Sequence, residues 1–348
     1  MLIKTAARTA LAICTALLGC GIFGCAPSKE MHSETYYDMF DTFVTVIAYE
    51  DDSERFDDNC KQVKDTLYEC SRLFDIYREY EGMNNLASVN KNAGVSPVKV
   101  DEKIISLIEF SIRMYEKTDG SVNIAMGSVL KLWHECREKN TEHSGSAPLP
   151  TQAELSKAAE HSDITDIVVD RENMTVYLAD GEMSLDVGAV AKGYAADIAA
   201  NALKDTGVTD GYAINIGGNV ITIGQKTENT PWRVSVQSPY EQYNTHLTTV
   251  ELNGTSLVTS GTYERKFVYD GKEYHHIINP DTLYPSEHFD SVSVLGENSA
   301  VCDALTTALF NMPLEQGKAL VEATEGVEAM WAADKNITRS SGFPSDAK

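Results

Sequence analysis

The sequence predicts an α+β fold of mixed, largely antiparallel sheets with flanking helices. Three observations carry this reading. Short segments of strand character recur beyond residue 160, and some are joined by tight turns. Stretches with an apolar period near that of a helix lie before and between them. The two kinds of element do not alternate regularly, as a doubly wound parallel sheet would require.

In chain order, Phe43 to Tyr49 alternates apolar residues and reads as a strand. Residues 53–74 carry a helical period through Phe56, Val63, Leu67 and Leu73, and residues 102–117 through Ile104, Ile105, Ile108, Ile112 and Tyr115. The polar, Ser- and Pro-containing stretch 138–150 reads as a surface loop, and 151–160 as a short helix begun by a Thr cap. Ile167 to Asp170 and Thr175 to Leu178 form a predicted hairpin around Glu172-Asn173. A helix follows at 190–206, ending near Gly207. Strands are predicted at 212–216, 219–223, 232–237, 247–252, 266–269, 273–278 and 291–295. Helices at 299–311 and 314–324 precede a last strand at 327–333. Residues 38–338 show no internal boundary and are read as one domain.

Composition narrows the partners. Hydrophobic residues are 43% of the 348, enough for a sizeable core and too many for wholesale disorder. A formal net charge of -23 argues against nucleic acid, which requires clustered Lys and Arg. It also opposes an anionic substrate unless a metal ion or local positive groups offset it.

The N-terminus has the layout of a secretory signal: Lys4 and Arg8, then an uncharged apolar run from Thr9 to Phe23. The run ends in two sites resembling the bacterial lipobox, one at Cys20 and one at Cys25. Leu17 favours the first; the polar sequence that follows Cys25 favours the second. Residues 1–24 are therefore read as a lipoprotein signal, with Cys25 (or Cys20) the lipidated residue and 25–37 a polar tether. A plain signal peptide with incidental cysteines is the alternative. The expected location is the extracytoplasmic face of the cell membrane, held by lipid. Cys60, Cys70, Cys136 and Cys302 form no CxxC pair, and their disulfide state is left open.

Familiar nucleotide signatures are missing. Gly188 to Gly193 has the P-loop glycine spacing, but Tyr194 stands where Lys is needed. No Rossmann glycine pattern or GxSxG elbow is found. Four other segments carry chemistry. The first runs from Leu185 to Asp197, where a strand ending at Asp186 would pass through a glycine turn into a helix. Such a junction aims backbone N–H groups at an anion, with Asp186 and Lys192 as its charged pair; a capped helix with a surface salt bridge explains it equally well. The second, Asn215 to Asn219, holds two glycines and is most simply a hairpin turn. The third comprises Thr259 to Arg265, including Ser260, and His275 to Thr282. His276 there is a candidate general base, or a histidine satisfied within a sheet. The fourth places Asp303 and Thr307 on one helical face, a hard-oxygen pair suited to Mg2+ or Ca2+, or an ordinary first-turn acid with a packing Thr.

These segments, in this order, resemble the ApbE family of FAD:protein FMN transferases. The quoted motifs are DVGAVAKGYAAD, INIGGN, VTSGTYER, HHIINPDT and CDALTTALF. Phe74 to Tyr77 and Asp119 to Gly127 resemble the family's earlier flavin-contacting segments. The resemblance implies a T-fold-like α+β architecture and Mg2+-dependent transfer of FMN from FAD to a Ser or Thr of an exported or membrane redox flavoprotein, with AMP released. It implies Mg2+ ligation by Asp303, Thr307 and the carbonyl of Ala189, and catalytic roles for His276, Asp303 and Lys192. It further implies FAD contacts from Phe40, Tyr77, Ala125, Met126, Gly127, Asp186, Lys192, Ser260 and Ile277. Two departures stand out. The family's Met-Gly-Thr is Phe40-Asp41-Thr42 here, and its Asp-Pro-x-Thr-Gly is Asn279-Pro280-Asp281-Thr282-Leu283, which puts the conformation of the second loop in question. An FAD pyrophosphatase and a non-catalytic FAD-binding lipoprotein are the competing readings.

Overall fold

The structure is a computed structural model and describes residues 29–142, 147–240 and 246–346. The first half contains β1 (Glu30–Met39), β2 (Thr42–Glu50), α1 (Ser53–Leu73), α2 (Leu86–Lys91), β3 (Val98–Lys99), α3 (Glu102–Lys117), α4 (Gly127–Glu142), α5 (Gln152–Ala159), β4 (Ile167–Asp170) and β5 (Thr175–Leu178). The second half contains α6 (Ala191–Asp205), β6 (Tyr212–Ile216), β7 (Asn219–Ile223), β8 (Trp232–Gln237), β9 (His246–Leu252), β10 (Ser256–Gly261), β11 (Lys266–Tyr269) and β12 (Lys272–His275). It ends with β13 (Ser291–Gly296), α7 (Ser299–Asn311), α8 (Leu314–Glu322), β14 (Glu328–Ala333) and β15 (Asn336–Arg339).

Eight strands form the main sheet in the order β1-β2-β6-β7-β10-β13-β14-β15, every neighbouring pair antiparallel. Alternation decides the faces. Val44, Val46 and Ala48 of β2 point to one side, where they meet Val63 and Leu67 of α1, Ala195 and Ala199 of α6, and Leu305 and Leu309 of α7. The opposite side is covered in part by the β8–β9 hairpin, through Trp232, Val250 and Leu252. A smaller cluster, with Trp133 of α4, Leu155 of α5 and Phe267 of β11 in it, supports the β11–β12 hairpin. The α+β, largely antiparallel expectation is met.

Helices α6 and α7 cap each other. Val190, at the head of α6, makes no side-chain cap; instead Asp303 of α7 accepts the Gly193 N–H at 2.8 Å. In return Asp197 of α6 accepts from Ser299 N at 3.0 Å and Ala300 N at 2.8 Å. The approach is so close that a Cβ on Gly193 would lie 2.3 Å from Ser299 O and 2.6 Å from Asp303 Cβ. Gly193→Ala is therefore expected to cost about 1–3 kcal/mol through overpacking. An unchanged urea midpoint would contradict this packing account.

Several expectations are corrected. Residues 30–37 of the proposed tether belong to β1, which pairs with β2 from Glu30↔Glu50 onward. This edge strand buries only Met39 completely, so its sequence lacks a strong apolar alternation. The first part of the predicted 138–150 loop is the polar last turn of α4. No strand ends at Asp186: the chain there is extended, joined to Met126 by a bridge at Ser184 and to Ile124 by the Asp186 N–H. The strand predicted at 273–278 stops at His275. The leader, with Cys20 and Cys25, lies outside the described residues. Among the described residues no helix is long and apolar enough to cross a membrane. Cys60, Cys70, Cys136 and Cys302 are buried and unbridged.

Candidate active site

The chemistry gathers where the α6 and α7 N-termini, the β1–β2 turn, α4 and the segment after β10 meet. Asp303, 3% exposed, is fixed by the Gly193 N–H on Oδ2, while its Oδ1 lies 4.0 Å from Lys192 Nζ. Thr306 bonds back to the Asp303 carbonyl at 2.7 Å and to Ser260 at 2.8 Å, tying α7 to β10. Ser260 is thereby engaged in the scaffold. Thr307 is half-buried, and neither its hydroxyl nor the Ala189 carbonyl has a hydrogen-bond partner among the described residues.

Tyr77 is positioned by an Asx turn in which Asp75 accepts the N–H groups of Tyr77 and Arg78. Its ring is 60% exposed and stacks on His134 at 5.0 Å. Arg137, one turn along α4, donates to His134 Nδ1 at 2.7 Å, which leaves the imidazole proton on Nε2 toward Glu138 at 3.1 Å. Loss of water around the hydroxyl, where the cleft walls crowd it, raises the Tyr77 phenol to about 12, with the Asp186 charge adding to the effect. Enclosure likewise pushes the Asp186 carboxyl above its usual range, opposed by the Gly188 N–H at 2.8 Å and by the charges of Arg265 and Arg137.

The two histidines of the HH pair separate cleanly. His275 donates from Nε2 to Ser286 O at 2.7 Å and accepts the Ile277 N–H on Nδ1, so it is satisfied within the fold. His276 makes no hydrogen bond among the described residues, and its ring is open to solvent in the cleft. The surrounding cleft walls, and then the charge of Arg265 with those of Lys192 and Arg137, lower its pKa to about 3.

The remaining implied contact residues divide. Phe40 and Asp41 form the β1–β2 turn with φ of 55° and 53°, and the Asp41 charge is felt by Tyr77 and Arg137, which places this turn at the cleft. Ala125, Met126 and Ile277 have buried side chains committed to packing. Gly127 has no room for a Cβ, which would fall 2.2 Å from Ser184 O. The sequence reading missed His134, Arg137 and Asp41, and gave Arg265 no role. The only signal for them was the need for local positive charge in so acidic a chain.

A family model described as the ApbE family matches residues 40–331. The chain belongs to the ApbE family. It is 32% identical over 280 residues to an FAD:protein FMN transferase of Klebsiella pneumoniae, covering 78% of this chain and 84% of that protein. It is 34% identical over 273 residues to the FAD:protein FMN transferase of Treponema pallidum, covering 74% and 73%. The ApbE protein of Thermotoga maritima overlays with a TM-score of 0.79 at 26% identity, covering 90% of this chain and 98% of that one.

Both departures from the ApbE pattern have a structural answer. Asp41 and Leu283 occupy the positions of family glycines and adopt the left-handed conformation, Leu283 with φ of 63°. Leu283 is buried at 8% exposure and its carbonyl accepts Trp133 Nε1 at 2.9 Å, so packing holds the loop where glycine would have permitted it freely.

Proposed function

We propose that this ApbE-family chain transfers FMN from FAD to a Ser or Thr hydroxyl of an acceptor protein and releases AMP. The observation that carries this is the convergence of Lys192, Arg137 and Arg265 around His276, beside buried Asp303, in a chain of net charge -23. Local positive charge of this kind suits a pyrophosphate.

The residues also fit a divalent cation. Asp303 Oδ1, the Thr307 hydroxyl and the Ala189 carbonyl are hard oxygens without hydrogen-bond partners among the described residues. No group of three His, Cys, Asp or Glu side chains is placed for a metal among those residues. One carboxylate with neutral oxygens suits Mg2+, which keeps waters and substrate phosphates in its shell. The bound ion would neutralise phosphate charge and stabilise the departing AMP.

In the transfer step, the acceptor hydroxyl oxygen bonds to the FMN-side phosphorus. The bond from that phosphorus to the bridging oxygen breaks, and AMP leaves with the electron pair. His276 takes the hydroxyl proton, for which a neutral, solvent-facing imidazole is suited. Lys192 counters the charge on the phosphates. Exposure of His276 also lets water stand in for the acceptor, so FAD hydrolysis is the second reading.

Quantifying AMP and FMN from FAD and Mg2+, with and without a candidate acceptor, separates the two. AMP formed only with acceptor, without equivalent free FMN, supports transfer. AMP and free FMN formed equally without acceptor would replace it with hydrolysis, and bound but intact FAD would indicate a carrier.

Lipid anchoring at the extracytoplasmic face, with an exported or membrane redox flavoprotein as acceptor, completes the proposal; the layout of residues 1–25 supports it. Radiolabelled palmitate should enter the full-length protein and be lost on Cys25→Ala or Cys20→Ala. Label retained in the double variant would refute the anchor.

A further inference from the structure

Strand β1 fixes where the chain enters the domain. Its first residue, Glu30, pairs with Glu50 at the end of β2, and its last, Met39, pairs with Thr42 at the start of β2. The same two ends continue across the sheet. At the Glu30 end, Tyr49 N donates to Gly211 O at 2.8 Å, Tyr212 of β6 pairs with Ile223 of β7, and Ser256 of β10 pairs with Ile221. Lys29 is fastened there by its ion pair with Asp210 at 2.6 Å. At the Met39 end, Gly217 N donates to Phe43 O at 3.1 Å. Ser260, toward the same end of β10, bonds to Thr306 of α7, which in turn bonds to the Asp303 carbonyl. Asp303 and the cleft therefore lie at the opposite end of the sheet from Lys29. Strand β1 has 10 residues, so the two ends are roughly 25–30 Å apart.

The link to a lipid on Cys25 is short by comparison. Cys25 precedes Lys29 by four residues, a span of at most about 14 Å when fully extended. Bringing the cleft end to the headgroups lifts Lys29 roughly 25–30 Å above them, about twice what the link allows. Charge acts in the same direction. Glu30, Asp51, Asp52 and Glu54 are exposed at the Lys29 end, and the chain carries a net charge of -23, so an anionic bilayer does not draw the domain down.

We propose that the lipid anchor holds the Lys29 end toward the bilayer and the cleft away from it, so that the enzyme modifies only hydroxyls carried clear of the headgroups on an extramembrane domain. A Ser or Thr at the bilayer interface is out of reach. This rests on the lipid-anchor and flavin-transfer readings above. The short link, and not the cleft alone, then limits which hydroxyl receives FMN.

The test uses the full-length lipidated protein in phosphatidylcholine vesicles that carry a headgroup dye. Cys60, Cys70, Cys136 and Cys302 are buried, so a donor dye can be placed on Asp51→Cys at the Lys29 end, or on Tyr37→Cys near the cleft end, where the native residue is 79% exposed. Energy transfer to the headgroups should be faster from residue 51 than from residue 37 by at least about threefold. Inserting about 20 Gly and Ser residues between Ser28 and Lys29 adds about 25 Å of reach and should abolish that difference. The same insertion should raise flavinylation of an acceptor Ser fixed at the headgroups by about tenfold or more, and leave a soluble acceptor unchanged. Equal transfer from the two positions without the insertion, or rapid flavinylation of the headgroup-fixed Ser by the native chain, would overturn the orientation alone. Protein that fails to sediment with the vesicles would take down the anchor beneath it, and a soluble acceptor left unmodified by every form would take down the flavin-transfer reading.

Discussion

Asp303→Asn should lower FMN transfer at saturating Mg2+ by about 100-fold or more while leaving the fold intact. The amide oxygen can still accept the Gly193 N–H at the head of α6, so the mutual capping of α6 and α7 survives. What is lost is the one buried carboxylate offered to a cation, with Lys192 4.0 Å away on its other oxygen. Asp303→Ala removes both functions. Besides losing activity it leaves a buried N–H without its acceptor, which costs about 1–3 kcal/mol. The pair of variants separates chemistry from stability: a thermal melt should shift mainly for Ala, and the transfer rate should fall for both. Near-normal transfer by the Asn variant would remove the cation from the account.

His276→Ala should slow transfer by about 10²–10⁴-fold with little change in the dissociation constant for FAD. The pH profile carries more information. A histidine whose pKa is depressed, here to about 3, is a proton acceptor above that value and loses the role only as pH falls through it. The profile of kcat/KM for FAD should therefore show no histidine limb between roughly pH 5 and 8. Once the pyrophosphate is bound, its charge offsets Arg265, Lys192 and Arg137, and the imidazole becomes more basic. The acid limb of kcat should accordingly lie at higher pH than that of kcat/KM. An acid limb near the ordinary histidine value in kcat/KM, or one that survives His276→Ala, would contradict this.

Legibility of the fold followed burial. Helices α1 and α3 were readable because one stripe of each is buried, and α6 because its small residues pack between α1 and α7. The turn at Gly217-Gly218 was readable because both residues have positive φ. Strand β1 was not, since an edge strand with little burial has no reason to alternate strongly. Helix α4 was missed because its last turn is polar, although Asn140 there is buried and ties Cys136 to the chain at Ala147. Strand β10 hid behind Thr259 and Ser260, hydroxyl residues that hydrogen-bond to Ser293 and Thr306.

The site divided in the same way. Asp303, Lys192 and His276 stand in recognisable strings, and the structure brings Lys192 to both of the others. Arg137 stands in no motif, and its position beside Tyr77 depends on α4 running on from Gly127, which the polar sequence conceals. Its functional setting is a product of tertiary packing.

The most direct measurement is the intact mass of a candidate exported acceptor after incubation with the full-length protein, FAD and Mg2+. The account predicts an increase equal to one FMN unit, abolished by chelator, by Asp303→Asn and by replacing the acceptor Ser or Thr with Ala. FAD consumed to free FMN and AMP with every tested acceptor unchanged in mass would contradict it.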